Sequence, residues 1–189
     1  MKELKPAILM CLFFTLLCGG LYPALVTGIG QALFPRQANG SLIFDQGGRL
    51  VGSTLIGQPF TAPRYFWPRP SATAGFPYNP MASGGSNLGP TNPALLATVT
   101  ERVGALRATG ITGPIPADLV LASASGLDPH LSPAAAGLQI PRIAKARGIS
   151  EETVAGLVTS HTEAGQFGVP GAPRVNVLAV NLALDGISR

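Results

Sequence analysis

Cysteine is scarce in this 189-residue sequence, and its placement limits what the chain can be. The two cysteines, Cys11 and Cys18, both lie in an uncharged N-terminal segment, and none follows it. A disulfide framework is therefore excluded as a source of stability for the rest of the chain. Their spacing of seven residues places both on one face of a helix, where we expect them to pack in lipid or against another helix.

Charge is also sparse, at 12% of the residues, and no run of basic residues occurs. The formal net charge is +4, but from Phe34 onward the 11 basic residues are scattered among 8 acidic ones. Surfaces that bind nucleic acid usually carry clustered Lys and Arg. The sequence therefore argues against nucleic acid as a partner.

Motifs for nucleotide hydrolysis and ion selectivity are missing as well. The chain contains no Gly-Lys pair, which a phosphate-binding loop requires, and Gly28-x-Gly30 lacks the third glycine of a dinucleotide fingerprint. It has neither the Asp-Lys-Thr-Gly of a phosphorylated P-type ATPase nor the Thr-Val-Gly-Tyr-Gly of a potassium filter. Alone, the chain is predicted neither to hydrolyse ATP nor to conduct ions, so no catalytic residue is assigned for either reaction.

The segment from Pro6 to Gly30 is long, apolar and free of charge. As a helix it would span about 37 Å, which exceeds the roughly 30 Å of a bilayer's hydrocarbon core. We predict a cytoplasmic tail over residues 1–5, a transmembrane helix over 6–33 and a second domain over 34–189. A secretory signal peptide is the alternative, although such signals have shorter apolar cores and a small-x-small cleavage site.

Charges flanking this segment indicate its orientation. Lys2 and Lys5 precede it, whereas Arg36 is the nearest basic residue on the other side. The positive-inside rule then favours a cytoplasmic N-terminus in the bacterial inner membrane. Residues 34–189 would form a periplasmic domain, which is long enough for one hydrophobic core.

This domain reads as a mixture of strands, loop and helices. Short apolar runs within residues 41–56 flank a Gly-Gly turn and predict a β-hairpin. The stretch 57–93 is rich in proline and aromatics, which predicts a long ordered loop.

Capping signals then predict three helices and a terminal strand. Asn92-Pro93 begins the first helix, which should end near Gly110. A second helix should run from Ser132-Pro133 to before Gly148, with a kink or split at Pro141. Ser150 caps a third helix. The segment Arg174 to Leu184 is predicted to be a buried strand that returns to the hairpin, so that the domain is of the α+β class.

A dense polar cluster contains every residue type of a serine hydrolase triad: Ser123 or Ser125, Asp128 and His130. Triads usually join residues that are distant in sequence and expose the serine on a strained turn, which is absent here. A turn at Asp128 followed by a helix cap at Ser132 is the simpler interpretation. A membrane-anchored periplasmic serine hydrolase stays open as the alternative function.

Two binding hypotheses also arise. Asp128, His130, His161 and Glu163 have side chains suited to a divalent metal, but the i, i+2 spacing of each pair does not share a helix face. The glycine-rich stretch Ser83–Asn87 precedes a capped helix and could present N–H groups to an anion. A metal site is not predicted, and a tight turn is the simpler interpretation of the glycines.

Seven segments taken in order carry a more specific signal than any one of them. Together they resemble the KdpC family, the small subunits of the bacterial potassium-transporting Kdp ATPase complex, over nearly the whole chain. The matching stretches are Gly20–Pro23; Gly52-Ser53 with Leu55–Gln58; Tyr65-Phe66 with Arg69–Ala72; Ser83–Asn92; Ser123–His130; Gln139 with Arg142; and Arg174–Leu178 with Asn181.

This resemblance implies a non-catalytic, single-span subunit of a high-affinity potassium uptake complex. Its partners would be the translocating subunit KdpA, the P-type ATPase subunit KdpB, which uses ATP, and the small subunit KdpF. The family also implies a nucleotide-assisting role for Ser83, Gly84, Gly85, Ser86 and Gln139. A periplasmic domain would lie across the membrane from ATP, so the predicted orientation conflicts with that role.

Overall fold

The computed structural model describes residues 2–45, 47–165 and 171–187. Met1 in the predicted tail and Gln46 in the predicted hairpin turn lie outside the described residues. Two compact units make up the chain, Met1–Val51 and Gly52–Arg189.

A continuous helix, Leu4–Leu33, dominates the first unit and is long and apolar enough to cross a membrane. It consists of α1 (Leu4–Leu16), a π-helical turn (Leu17–Leu21) and α2 (Tyr22–Leu33). Pro23 has no N–H to donate and would clash in an unbroken α-helix. The preceding π-helical turn, in which the Tyr22 N–H donates to the Leu17 carbonyl, carries the helix up to this proline.

Beyond this helix the chain forms a short helix and a hairpin. The short helix is α3 (Pro35–Ala38), and the paired strands are β1 (Leu42–Phe44) and β2 (Leu50–Ser53). The Asp45 carboxylate closes the turn, since its Oδ1 accepts from the N–H groups of Gly47 and Arg49 at 2.9 Å each. The predicted hairpin is confirmed, although residues 54–56 form a turn instead of strand.

The proline-rich loop, defined here as residues 57–92, contains only one turn of 3₁₀-helix, Pro80–Ala82. This agrees with the prediction of a long ordered loop. Phe66 in this loop has no solvent exposure and belongs to the core of the second unit. The loop is therefore a structural layer of the unit and not a peripheral connection.

The three predicted helix starts are confirmed. Asn92, Ser132 and Ser150 each accept a backbone N–H at a helix N-terminus, at 2.9, 3.1 and 3.2 Å. The second predicted helix splits where Pro141 falls in the first turn of its second half. The helices are α4 (Pro93–Ala108), α5 (Pro133–Gly137), α6 (Ile140–Arg147), α7 (Glu151–Ser160) and α8 (Val177–Ile187), with a 3₁₀ turn at Ala117–Leu119.

The predicted C-terminal strand is wrong over most of its length. Only Arg174–Asn176 is extended, and Val177–Ile187 is helix α8. Val177, Val180, Asn181 and Leu184 are all buried, and their i, i+3, i+4, i+7 spacing is that of one helix face. Near-continuous apolar character concealed this period in the sequence.

A small antiparallel sheet joins the C-terminal half of the second unit. Its strands are β3 (His130–Leu131), β4 (Thr162–Glu163) and the central β5 (Arg174–Asn176). Leu131 and Thr162 both face Val175 in the register. Among the described residues the terminal strand thus pairs with β3 and β4, and the predicted pairing with the hairpin is wrong. The class is confirmed: one long N-terminal helix and a mixed helix and sheet domain.

Candidate functional site

Gln139, between α5 and α6, is fully buried, and the backbone of the proline-rich loop lies against it. Its Oε1 accepts from the Trp67 N–H at 2.8 Å and from Arg142 Nη2 at 2.7 Å. Its Nε2 donates to the carbonyls of Trp67 at 3.1 Å and Ala135 at 3.3 Å. Each hydrogen-bonding position of the amide is therefore occupied by the protein itself.

Asn181 repeats this arrangement one residue earlier in the loop. It is 1% exposed, its Oδ1 accepts from the Phe66 N–H at 2.8 Å, and its Nδ2 donates to the Phe66 carbonyl at 3.1 Å. Two buried amides thus pair with two successive loop residues as a neighbouring strand would. A buried backbone group left unpaired costs about 1–3 kcal/mol, so these amides are strong anchors for the loop.

Two arginines complete the anchorage of the loop. Arg142 donates to the carbonyls of Pro63 at 2.5 Å and Tyr65 at 3.1 Å, and its guanidinium lies 4.0 Å from the centre of the Trp67 ring. Burial lowers the pKa of Arg142 to about 10, so it stays charged at neutral pH. Arg147 donates to the Arg64 carbonyl at 2.7 Å and pairs with Asp185 at 2.8 Å.

The cluster that suggested a hydrolase has no catalytic arrangement. The hydroxyl oxygens of Ser123 and Ser125 lie 3.5 Å apart, at the limit of a hydrogen bond. Ser125 Oγ also accepts from the Leu127 N–H. In the described part of the chain, neither hydroxyl hydrogen bonds to His130. A triad requires that bond, because the imidazole must take the serine proton.

Asp128 instead ties the loop to strand β3. Its Oδ2 pairs with Arg69 Nη1 at 2.9 Å, and its Oδ1 accepts from the His130 N–H at 3.0 Å and lies 3.3 Å from His130 Nδ1. Burial opposes ionisation of this carboxyl, but the bonds from His130 and Arg69 outweigh it and hold the pKa of Asp128 below its usual range.

Tyr78, next to this ion pair, donates to the Arg69 carbonyl. Burial, reinforced by the nearby Asp128 charge, raises the pKa of Tyr78 far above its ordinary value. Tyr78 therefore acts as a neutral donor.

The glycine-rich stretch packs against the serine cluster. The Gly84 N–H and the Ser83 hydroxyl both donate to the Ser125 carbonyl, at 2.9 and 3.1 Å. A Cβ on Gly85 would lie 3.1 Å from the Ala124 carbonyl oxygen, which explains a glycine there. Ser83 and Ser86 are exposed, while Gln139 is buried, and no hydrogen bond among the described residues links them. The nucleotide-assisting role of these residues stays a prediction.

The four candidate metal ligands have other partners. His161 Nδ1 lies 2.9 Å from the Leu157 carbonyl, and Glu163 pairs with Arg174 at 3.0 Å. Within the described residues, no group of three or more His, Cys, Asp or Glu side chains is placed to hold a metal ion. Asp128 and His130 are the two that the structure brings together.

Sequence reasoning did not identify the anchoring role of Asn181 or Arg147. Asn181 interrupts the apolar face of α8, and an amide on such a face signals a buried hydrogen-bonding partner. The polar side chains of the second unit thus hold its own loop in place. The long apolar helix and these side chains together indicate the class of protein. It is a membrane-anchored domain whose buried amides, arginines and ion pairs stabilise its own fold.

Comparison with known proteins narrows this class to one family. The family described as KdpC, the c chain of the K+-transporting ATPase, matches residues 4–186. A potassium-transporting ATPase KdpC subunit of Geobacter sulfurreducens is 69% identical over 98% of both chains. KdpC subunits of Geobacter metallireducens and Trichlorobacter lovleyi are 64% and 65% identical over the full length of each chain.

The chain belongs to the KdpC family. It is an accessory subunit of the K+-transporting ATPase complex, as the seven ordered segments implied. Its N-terminal helix indicates a single-pass membrane protein.

Proposed function

We propose that this chain is a non-catalytic subunit that stabilises assembly of the translocating subunit KdpA, the ATPase subunit KdpB and the small subunit KdpF. One observation carries the proposal: two buried amides and a partly exposed ion pair bind the chain's own loop. Gln139 and Asn181 hold the loop backbone, and Asp128 pairs with Arg69 and His130. A domain whose polar side chains fix its own loop presents a rigid surface to partners.

The membrane helix supports the same proposal. None of its residues is buried within the chain, and an open groove of about 520 Å³ follows one face of it. Small side chains in this groove let another helix approach closely, and the Tyr22 hydroxyl offers a polar contact. The groove residues are Met10, Cys11, Phe14, Thr15, Cys18 and Gly19.

We propose further that the N-terminus is cytoplasmic and that the domain 34–189 lies in the periplasm, near the potassium entrance of the complex. Lys2 and Lys5 before the helix, against Arg36 after it, support this orientation. Protease added to intact spheroplasts should then digest the large domain and leave the membrane helix. Full protection of the domain from the protease would contradict this orientation and would indicate that the domain lies in the cytoplasm, on the side of ATP.

Co-purification tests the function directly. The intact chain, expressed with its potassium ATPase partners and extracted in a mild detergent, should elute with them in constant proportion. Elution of the chain free of its partners would contradict the proposal. The serine-reactive phosphonate that labels hydrolases serves as a control, since we expect no labelling of Ser123 or Ser125.

The nucleotide-assisting role implied for Ser83–Ser86 has a separate test. Substitution of Ser83 and Ser86 by alanine changes two exposed hydroxyls and leaves the core untouched. If this stretch assists ATP use, the KM of the complex for ATP should rise. An unchanged KM for ATP, together with a domain located in the periplasm, would contradict the nucleotide-assisting role.

A further inference from the structure

The membrane helix contains a backbone carbonyl that has no donor at its helical positions. In an α-helix the Cys18 carbonyl would accept from the Tyr22 N–H, but that N–H donates to the Leu17 carbonyl in the π-helical turn. The next residue along the chain is Pro23, which has no N–H. The Cys18 carbonyl therefore has neither an i+4 nor an i+5 donor within the described helix. The same proline removes the i+4 donor of the Gly19 carbonyl.

These two residues lie on an open side of the helix. Cys18 and Gly19 both line the groove of about 520 Å³. A Cβ added at Gly19 or Gly20 would meet nothing within 4 Å, so the described chain leaves the helix surface open there. The hydrocarbon core of a bilayer supplies no hydrogen bonds, and an unpaired carbonyl within it is costly. The helix therefore requires a hydrogen-bond donor from outside the chain at this level.

The surroundings restrict what this donor can be. Residues 6–30 contain no Asp or Glu, so a Lys or Arg of a partner would find no counter-ion there. Serine and threonine hydroxyls on helices usually donate to their own i−4 carbonyl, as Thr98 and Thr159 do in this chain at 2.9 and 3.0 Å. A side-chain amide is neutral and carries two N–H donors, which matches the two carbonyls at residues 18 and 19.

We propose that the Cys18 carbonyl accepts a hydrogen bond from the side-chain amide of an Asn or Gln on another membrane helix of the potassium ATPase complex. The inference rests on the proposed function, because it names the chemistry by which a partner recognises this helix. Pro23 is then a specificity residue, since its missing N–H keeps the acceptor free for the partner. Asn and Gln side chains are known to hydrogen bond across helices in membranes.

Two proline substitutions test the role of Pro23. Pro23→Ala supplies an N–H that can donate to the carbonyl of Cys18 or Gly19. We therefore expect retention of the chain in the complex to fall about fivefold, the equivalent of one lost hydrogen bond. Pro6→Ala is the matched control, because residue 6 lies in the first turn of α1, where an N–H has no partner within the helix. Equal retention of the two variants would contradict the proposal.

Solid-state NMR tests the hydrogen bond itself. The chain has only two cysteines, so in Cys11→Ala a carbonyl-¹³C cysteine label falls on Cys18 alone. The labelled chain is reconstituted with partner subunits whose Asn and Gln side chains carry ¹⁵N, and dipolar dephasing of the carbonyl signal is measured. We expect dephasing, because the hydrogen bond places the amide nitrogen about 4 Å from the carbonyl carbon. Absence of dephasing would overturn the proposal.

The reciprocal variant provides the control for this measurement. Cys18→Ala leaves the label on Cys11, which lies within α1 and has the Thr15 N–H as its α-helical donor. No dephasing is expected at Cys11, and equal dephasing at the two positions would also overturn the proposal.

The outcomes separate this proposal from the proposed function. If the wild-type chain elutes with its partners but the Cys18 carbonyl has no amide beside it, only the amide contact is wrong. If the wild-type chain itself elutes alone, the assembly function is wrong.

Discussion

The membrane helix and the proline-rich loop contrast in how each is stabilised. The helix Leu4–Leu33 is regular and satisfies its backbone internally, yet none of its side chains is buried in the chain. The loop is irregular, yet Phe66 is fully buried and two amides pair with its backbone. Regular secondary structure therefore does not coincide with burial in this protein: the irregular loop contributes to the core, whereas no side chain of the regular helix is buried within the described chain.

Loss of an amide anchor should have the largest effect on folding. Gln139→Ala leaves the Trp67 backbone unpaired and opens a cavity, so we expect a loss of about 3 kcal/mol or more in the free energy of unfolding. Trp67 is the single tryptophan of the chain, so its fluorescence during urea unfolding reports on the loop directly. The exposed control Thr61→Ala should stay within about 0.5 kcal/mol of wild type. Equal stability of the two variants would refute the anchor.

Substitution of Arg142 should come next. Arg142→Lys keeps the charge but loses the planar fork that reaches the Pro63 and Tyr65 carbonyls and the stacking on Trp67. We expect a loss of about 2 kcal/mol, with a change in Trp67 emission even before unfolding. A lysine variant as stable as wild type would show that charge alone suffices.

Acid should reveal the smaller contribution of Asp128. Its folded-state pKa lies below the unfolded value of about 3.9. The ionised carboxyl therefore stabilises the fold above that value, and this contribution disappears as the pH falls through the folded-state pKa. Between pH 6 and about pH 3, the free energy of unfolding of the wild type should fall by about 1 kcal/mol more than that of Asp128→Asn. The difference is small because the ion pair is partly exposed. If the free energies of unfolding of the two proteins, measured by urea titration at each pH, fall in parallel, this contribution of Asp128 is contradicted.

A substitution in the membrane helix should have the smallest effect on folding, because it should leave the stability of the second unit unchanged and should weaken only assembly. A Cβ at Gly20 meets nothing within 4 Å in the chain, so Gly20→Leu should leave the urea curve of Trp67 unchanged. It should reduce retention in the complex about tenfold, because it blocks close approach of a neighbouring helix. Gly104→Leu, at an equally open position on α4, is the matched control. Similar retention of both variants would argue against docking at Gly20.

Much of the fold could be predicted because its signals are local. The caps at Asn92, Ser132 and Ser150 lie next to the helices that they begin, and the membrane segment is continuous in sequence. The C-terminal helix was missed because apolar residues fill nearly every position from Val177 to Leu184, so strand and helix periods were hard to separate.

The anchors of the loop could not be predicted from local pattern. Gln139 meets Trp67 across 72 residues of sequence, and Asn181 meets Phe66 across 115. In the sequence, Gln139 and Asn181 stand out only through the family resemblance, which implies a nucleotide-assisting role for Gln139 and no role for Asn181. Their structural role depends on which loop residues lie next to them in the folded protein. A single sequence does not show that Gln139 contacts Trp67 or that Asn181 contacts Phe66.

The most direct test of the central claim is assembly of the complex without this chain. The other potassium ATPase subunits are expressed with and without it, extracted in a mild detergent and separated by size. We predict that without the chain they no longer elute together, and that its co-expression restores one complex. A complex of the other subunits that stays intact without this chain would contradict the account.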